Sequence, residues 1–235
     1  AINGVAANSK TYDGSAVASM ASWGSVTAGV GAETLTLNTG TASFTDANAG
    51  AGRTVTATGY TLSDGTGLAS NYVLGSTTAT TTADIAPKSV TVTGVGANSK
   101  VYDGTTVAAM ASWGSVSTGV GAETLVVSGG TANFAEPNAG TAKAVTASGY
   151  SLADGSNGGL ASNYALSNAT ATTTADITPK SLSIASQGAA NKTYDGTTLA
   201  TLSGGALVGL VGNDAVTLQQ VGAFASPDAG VGMAV

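Results

Sequence analysis

The pentapeptide Lys-x-Tyr-Asp-Gly occurs three times, as Lys10-Thr11-Tyr12-Asp13-Gly14, Lys100-Val101-Tyr102-Asp103-Gly104 and Lys192-Thr193-Tyr194-Asp195-Gly196. Tyr12 and Tyr102 are 90 residues apart, and Tyr102 and Tyr194 are 92 apart. The flanking sequence keeps the same rhythm, so the chain is a tandem array. Each junction reads Asp-Ile-x-Pro-Lys-Ser, at Asp84-Ile85-Ala86-Pro87-Lys88-Ser89 and Asp176-Ile177-Thr178-Pro179-Lys180-Ser181. The junctions divide the chain into repeats 1–88 and 89–180 and a partial repeat 181–235. No Gly/Ser linker intervenes, and the residue before Pro is held extended. This predicts a last strand that feeds the next repeat through a short, stiff connection, and an extended, semi-rigid array. Residues 1–8 align with 91–98 and Val235 aligns with Val145, so both ends read as cuts through a longer array. The amino terminus has neither the basic nor the apolar region of a signal peptide.

Within a repeat the apolar pattern has period two. Ser89-Val90-Thr91-Val92-Thr93, Thr34-Leu35-Thr36-Leu37 and Arg53-Thr54-Val55-Thr56-Ala57 alternate between Gly-, Asn- and Asp-rich turns. This is strand-and-turn chemistry, with about seven strands expected per repeat. Residues 17–30, with Met20 and Trp23, and their counterparts 107–120, with Met110 and Trp113, read as a loop or irregular strand with at most one helical turn. The expected fold is all-β, a tandem array of small immunoglobulin-like β-sandwiches. A β-grasp-like domain is the alternative. No Cys…Trp…Cys signature of a true immunoglobulin domain is present.

Composition narrows the function classes. Thirteen acids stand against seven bases, which disfavours nucleic acid and anionic membrane partners. No apolar run approaches the roughly 20 residues of a spanning helix. With no Cys and no His, thiol chemistry and the usual zinc and haem sites are excluded. No nucleophile elbow or phosphate-binding loop occurs, so the chain is expected not to be an enzyme. Repetition suits reach, multivalency and assembly.

The recurring residues have bland readings and sharper ones. In Tyr-Asp-Gly, Tyr packs half-buried with its hydroxyl on a partner, Asp accepts an amide two residues on, and Gly takes positive φ. The sharper reading is a ligand site on Tyr and Asp. Phe44-x-Asp46-x-Asn48-Ala49-Gly50 recurs as Phe134-x-Glu136-Pro137-Asn138-Ala139-Gly140 and Phe224-x-Ser226-Pro227-Asp228-Ala229-Gly230. Asp46, Glu136 and carboxylates such as Asp13 are those a Ca²⁺ site would draw on, but Ca²⁺ needs six to eight oxygens. Lys10, Asp13, Glu33 and Asn48 supply the inventory of a Lys–Asn isopeptide cross-link. In Leu68-Ala69-Ser70-Asn71-Tyr72 and Leu160-Ala161-Ser162-Asn163-Tyr164, Asn caps a turn and Tyr enters the last core strand. Trp23 and Trp113 are the candidate ligand residues of a repeated glycan-binding module. Threonines 77–82 and 170–174 are candidates for an ice- or mineral-facing array.

Taken in order, Lys-x-Tyr-Asp-Gly-Thr-Thr, Asn-Ala-Gly, Asn-Tyr-x-Leu and Ala-Asp-Ile-x-Pro-Lys resemble the YDG-domain repeats. These are relatives of the mostly bacterial immunoglobulin-like repeats found in filamentous-haemagglutinin-like giant adhesins. The first repeat departs with Ser15-Ala16 for Thr-Thr, and the third with Asn213-Asp214 for Ala-Glu and Asp228 for Asn. The resemblance implies a secreted or cell-surface stalk or filament with adhesive or matrix roles. It implies neighbouring repeats, further copies in a filament, or host glycans as partners, and it carries no catalytic or cofactor residues.

Overall fold

A computed structural model describes residues 1–235. The chain is all-β with curled sheets; it has no α-helix and two single 3₁₀ turns, Ala69–Asn71 and Ala161–Asn163. It forms two compact units. The first comprises Ala1–Gly96, Ser112–Thr131 and Ala147–Ala171, and the second Ala97–Ala111, Ala132–Thr146 and Thr172–Val235.

In the first unit, β1 (Asn3–Ala7) is followed by β2 (Lys10–Thr11), β3 (Met20–Ser25), β4 (Leu35–Asn38), β5 (Thr41–Phe44), β6 (Gly50–Thr58), β7 (Thr61–Asp64) and β8 (Thr78–Ala86). A four-stranded sheet has the order β2-β8-β6-β5, with β2 parallel to β8 and the other pairs antiparallel. β1 pairs with β3, and β4 with β7. Eight strands thus precede Pro87, where the alternation predicts about seven. The extra one is β3, in the segment read as a loop or irregular strand. Its partner β1 supplies the ladder that its Gly- and Ser-broken sequence does not announce.

The pleat explains the burial. Val55 and Ala57 on β6, and Ala83 and Ile85 on β8, point inward with Phe44 and Tyr60. Their neighbours Thr54, Thr80 and Thr82 face out, since successive strand residues point to opposite faces. Threonines pair across the strands, Thr54 with Thr82, Thr56 with Thr80 and Thr58 with Thr78. Thr81 lies half-buried on the other face. The 77–82 run is therefore split between the two sides of the sheet.

The first unit also holds one strand pair from the second repeat and one that begins at the junction residue Lys88. Leu125–Ser128 pairs antiparallel with Ser151–Asp154, and β9 (Lys88–Val90) runs parallel to Tyr164–Leu166. In the second unit, Lys100–Val101 runs parallel to Ile177-Thr178, and Ser183–Ala189 pairs antiparallel with Leu202–Val208. Phe134, Val145 and Ile177 are buried there.

One backbone position differs informatively between repeats. β6 bulges between Gly50 and Arg53, where Gly52 has φ +60° and donates its amide to Asp84 Oδ1 at 2.7 Å. Ala142 stands in the same place in the second repeat, with φ 50° and a 2.7 Å bond to Asp176. A left-handed Ala costs about 1–2 kcal/mol, of which the greater chain entropy of Gly offsets about 0.5–1 kcal/mol. Ala142→Gly is therefore expected to stabilise the protein by about 0.5–1 kcal/mol, read as a raised denaturant midpoint.

Candidate functional site: the joint between successive repeats

Each Lys-x-Tyr-Asp-Gly motif is a turn held by its own lysine. Lys10 Nζ donates to Asp13 Oδ1 at 2.7 Å and to the carbonyl oxygens of Ser15 at 2.6 Å and Val17 at 3.2 Å. Lys100 does the same with Asp103 at 2.7 Å and the Thr105 and Val107 carbonyl oxygens, and Lys192 donates to Asp195 at 2.8 Å and the Thr197 carbonyl oxygen at 2.6 Å. Each ammonium also sits 5.6–5.8 Å from the ring centre of Phe44, Phe134 or Phe224. The Asp carboxylates accept the amides of Ser15, Thr105 and Thr197 at 2.9 Å. Gly14, Gly104 and Gly196 have φ between 75° and 77°, a region in which a Cβ is strained. The lysine contact, followed by the Thr amide, draws the Asp103 and Asp195 carboxyls down to about 2.

The tyrosine of the turn looks outward to the next repeat. Within the first unit, the Tyr12 hydroxyl donates to Glu123 Oε1 at 2.7 Å, and the Tyr164 hydroxyl donates to Oε2 of the same carboxylate at 2.6 Å. The two rings meet edge-on with centroids 5.4 Å apart. Beside them, Asn163 is fully buried; its amide donates to Asn48 Oδ1 at 2.9 Å, and its carbonyl accepts the Ala49 amide at 2.8 Å. Lys88 Nζ reaches the Gly119 carbonyl oxygen at 3.0 Å. Gly14 lies so close to the second repeat that a Cβ built on it would be 2.6 Å from Val120 Cγ1. Burial, with the Glu123 contact added, pushes the Tyr12 phenol up to about 12, and the same causes raise Tyr164.

The next junction, within the second unit, repeats the contact. The Tyr102 hydroxyl donates to Asp214 Oδ2 at 2.9 Å, and a Cβ on Gly104 would be 3.0 Å from Val211 Cγ1. Asp214 is the third repeat's equivalent of Glu123. A groove of about 290 Å³ lined by Tyr102, Asn138, Leu182, Val211 and Asp214 lies beside this contact. Tyr194 is 64% exposed, whereas Tyr12 is 4% exposed.

The other sequence-singled residues go elsewhere. Asp46 pairs with Arg53 at 3.0 Å, Glu136 with Lys143 and Asp13 with Lys10 at 2.7 Å, and no three such groups gather in one place. The four residues of the proposed isopeptide cross-link have separate partners: Lys10 and Asp13 each other, Glu33 the Tyr72 hydroxyl, and Asn48 the Asn163 amide. Trp23 and Trp113 lie half-buried on strands and pack edge-on against Tyr60 and Tyr150 with centroids 6.1 Å apart. The sequence reading takes Glu33 as a cross-link helper and notes Asp214 at the Ala-Glu position without giving it or Glu123 a site role. Their signal was present, since an acid follows the motif tyrosine by 21, 21 and 20 residues in the three repeats.

A family model described as the YDG domain matches residues 1–82, 86–174 and 178–235. The chain belongs to the YDG-domain family. No curated protein and no solved structure matches it. The tyrosine, aspartate and glycine of the family's title motif thus form one side of the joint between consecutive YDG repeats.

Two predictions follow from this geometry. Gly14→Ala suffers backbone strain of about 1–2 kcal/mol and a clash with Val120, whereas nothing lies within 4 Å of a Cβ at Gly196. Gly14→Ala is expected to destabilise more than Gly196→Ala, and adding Val120→Ala is expected to recover part of the difference in chemical denaturation. The tyrosine joint also makes stability pH-dependent. A phenol raised from about 10 to about 12 stabilises the fold fully below pH 10 and loses that contribution as pH rises through 12. The lysine-held aspartates act at the other end. Their contribution is complete above about pH 4 and is lost as pH falls towards about 2. Thermal unfolding across the pH range reads both windows, and Glu123→Gln is expected to flatten the alkaline one.

Proposed function

We propose that this chain is a structural segment of a long bacterial extracellular protein, in which YDG repeats form an adhesin stalk or filament. The observation that carries this reading is the recurrence of one contact at both junctions, Tyr12 to Glu123 and Tyr102 to Asp214. A contact rebuilt at every step makes a repeat part of its neighbour, which is how quasi-one-dimensional proteins distribute stability. Each repeat is, on this reading, a small immunoglobulin-like β-sandwich. Its polar threonine face and low charge keep it inert along the shaft. The carboxylates and lysines that a catalytic site would use are held in turns and joints, so the chain acts mechanically. Its partners are its own neighbouring repeats and, in a filament, further copies. Electron microscopy of the native material tests this. Strings or filaments with a regular period of one or two repeats are expected; compact particles without longitudinal periodicity would overturn it.

A further inference from the structure

In both full repeats a hairpin tip holds the carbonyl that precedes the joint acid. In the first, the tip after β7 carries Thr66, whose hydroxyl donates to the Ala32 carbonyl oxygen at 3.5 Å, next to Glu33. In the second, the tip is longer and reads Asp154-Gly155-Ser156-Asn157-Gly158-Gly159. There the Asn157 side-chain amide donates to the Ala122 carbonyl oxygen at 2.9 Å, next to Glu123. The Thr124 amide, on the other side of Glu123, donates to the Ser156 carbonyl oxygen at 3.1 Å. The tip thus grips both neighbours of the acid that accepts Tyr12 and Tyr164.

The second grip is made by a chemically labile group. Asparagine is among the thermolabile residues, and glycine after it leaves no Cβ to keep the backbone nitrogen away from the side-chain carbonyl. Asn-Gly occurs twice in the chain, at Asn3-Gly4 and Asn157-Gly158. Asn3 is paired with Ser25 in the β1–β3 ladder, which resists the rotation that ring closure needs. Asn157 and Gly158 are exposed, and a Cβ built on Gly158 would meet nothing within 4 Å. Their φ angles of 56° and 87° are those of a type I′ turn. The hydrogen bond of that turn runs from the Gly159 amide to the Ser156 carbonyl oxygen at 3.1 Å, so the Gly158 nitrogen takes no part in it.

We infer that Asn157-Gly158 is a self-modification site, whose conversion to aspartate or isoaspartate releases the tip from the Glu123 side of the joint. The Gly158 nitrogen attacks the Asn157 side-chain carbonyl carbon and gives up its proton to hydroxide. A C–N bond forms, and the side-chain nitrogen leaves as ammonia, taking a proton from water. Water then opens the succinimide at either carbonyl, breaking one C–N bond. Nothing is oxidised or reduced, and water is the only co-reactant. The nitrogen that leaves is the one that holds Ala122. In its place stands a carboxylate that has no proton to offer the Ala122 carbonyl and that adds to a net charge of −6. The isoaspartate product also lengthens the backbone of the turn between Ser156 and Gly159. The site depends on the joint within the first unit and not on what the array is for.

The full chain is aged at mildly alkaline pH and sampled by peptide-mapping mass spectrometry. Asn157 is expected to convert ahead of Asn3 and of every other asparagine, as a mixture of aspartate and isoaspartate. Exchange of the Thr124 and Glu123 amides with solvent is expected to quicken about two- to tenfold in the converted protein, the loss that one hydrogen bond produces. Asn157→Asp is expected to show the faster exchange without ageing. Asn157→Gln keeps an amide but closes a larger ring far more slowly, so its exchange is expected to stay constant as it ages. An Asn157 that outlasts Asn3, or complete conversion with Thr124 and Glu123 exchange unchanged, would overturn the site.

Discussion

The structure turns on two tyrosine hydroxyls that converge on one carboxylate. Tyr12 comes from the first repeat and Tyr164 from the second, and Glu123 accepts from both at 2.6–2.7 Å. A carboxylate at the edge of an apolar contact is costly unless its oxygens are satisfied. Hydrogen bonds to a charged acceptor contribute about 1.5–3 kcal/mol each, so the pair of donors decides whether this acid can sit there. The donors are held by what surrounds them. The lysine-held turn fixes Tyr12, the absence of a Cβ at Gly14 admits Val120, and Asn163 closes the flank.

The same residue type therefore has a different fate in each copy. Tyr12 is buried, and Tyr194, in the same local turn with the same lysine contact, is not. Local chemistry builds the turn in all three repeats, and Tyr12 is buried where the second repeat brings Glu123 and Tyr164 to it. Likewise Tyr164–Leu166 is a strand because Lys88–Val90 lies beside it. The junction proline keeps that arrangement short. The segment leaving β8 cannot continue its own ladder through Pro87, which lacks the amide, and passes at once into the next repeat.

What could be read from the sequence follows this division between local and long-range causes. The all-β character, the alternation of Val55 and Ala57 with Thr54 and Thr56, and the turn at Asp13-Gly14 depend on residues within a few positions, and the pattern shows them. The segment of strand β3 reads as a loop or irregular strand because Gly24 and Ser22 obscure its period, and pairing with β1 settles which. The joint was not legible because its contacts span more than a hundred residues, as with Tyr12 and Glu123. A single chain shows that an acid recurs but not which hydroxyl it serves. The tryptophans read as candidate ligand residues because a rare aromatic stands out in a Gly- and Ser-rich segment. Here each is a cover for Tyr60 or Tyr150.

The central claim is that Tyr12 and Glu123 couple two repeats into one folding unit. A double-mutant cycle of Tyr12→Phe and Glu123→Gln, measured by chemical denaturation of the full chain, tests it most directly. A coupling energy of about 1–3 kcal/mol is predicted for partners in direct contact. Additive effects, with the double variant losing the sum of the single losses, would contradict the account and reduce the joint to two surfaces that merely touch.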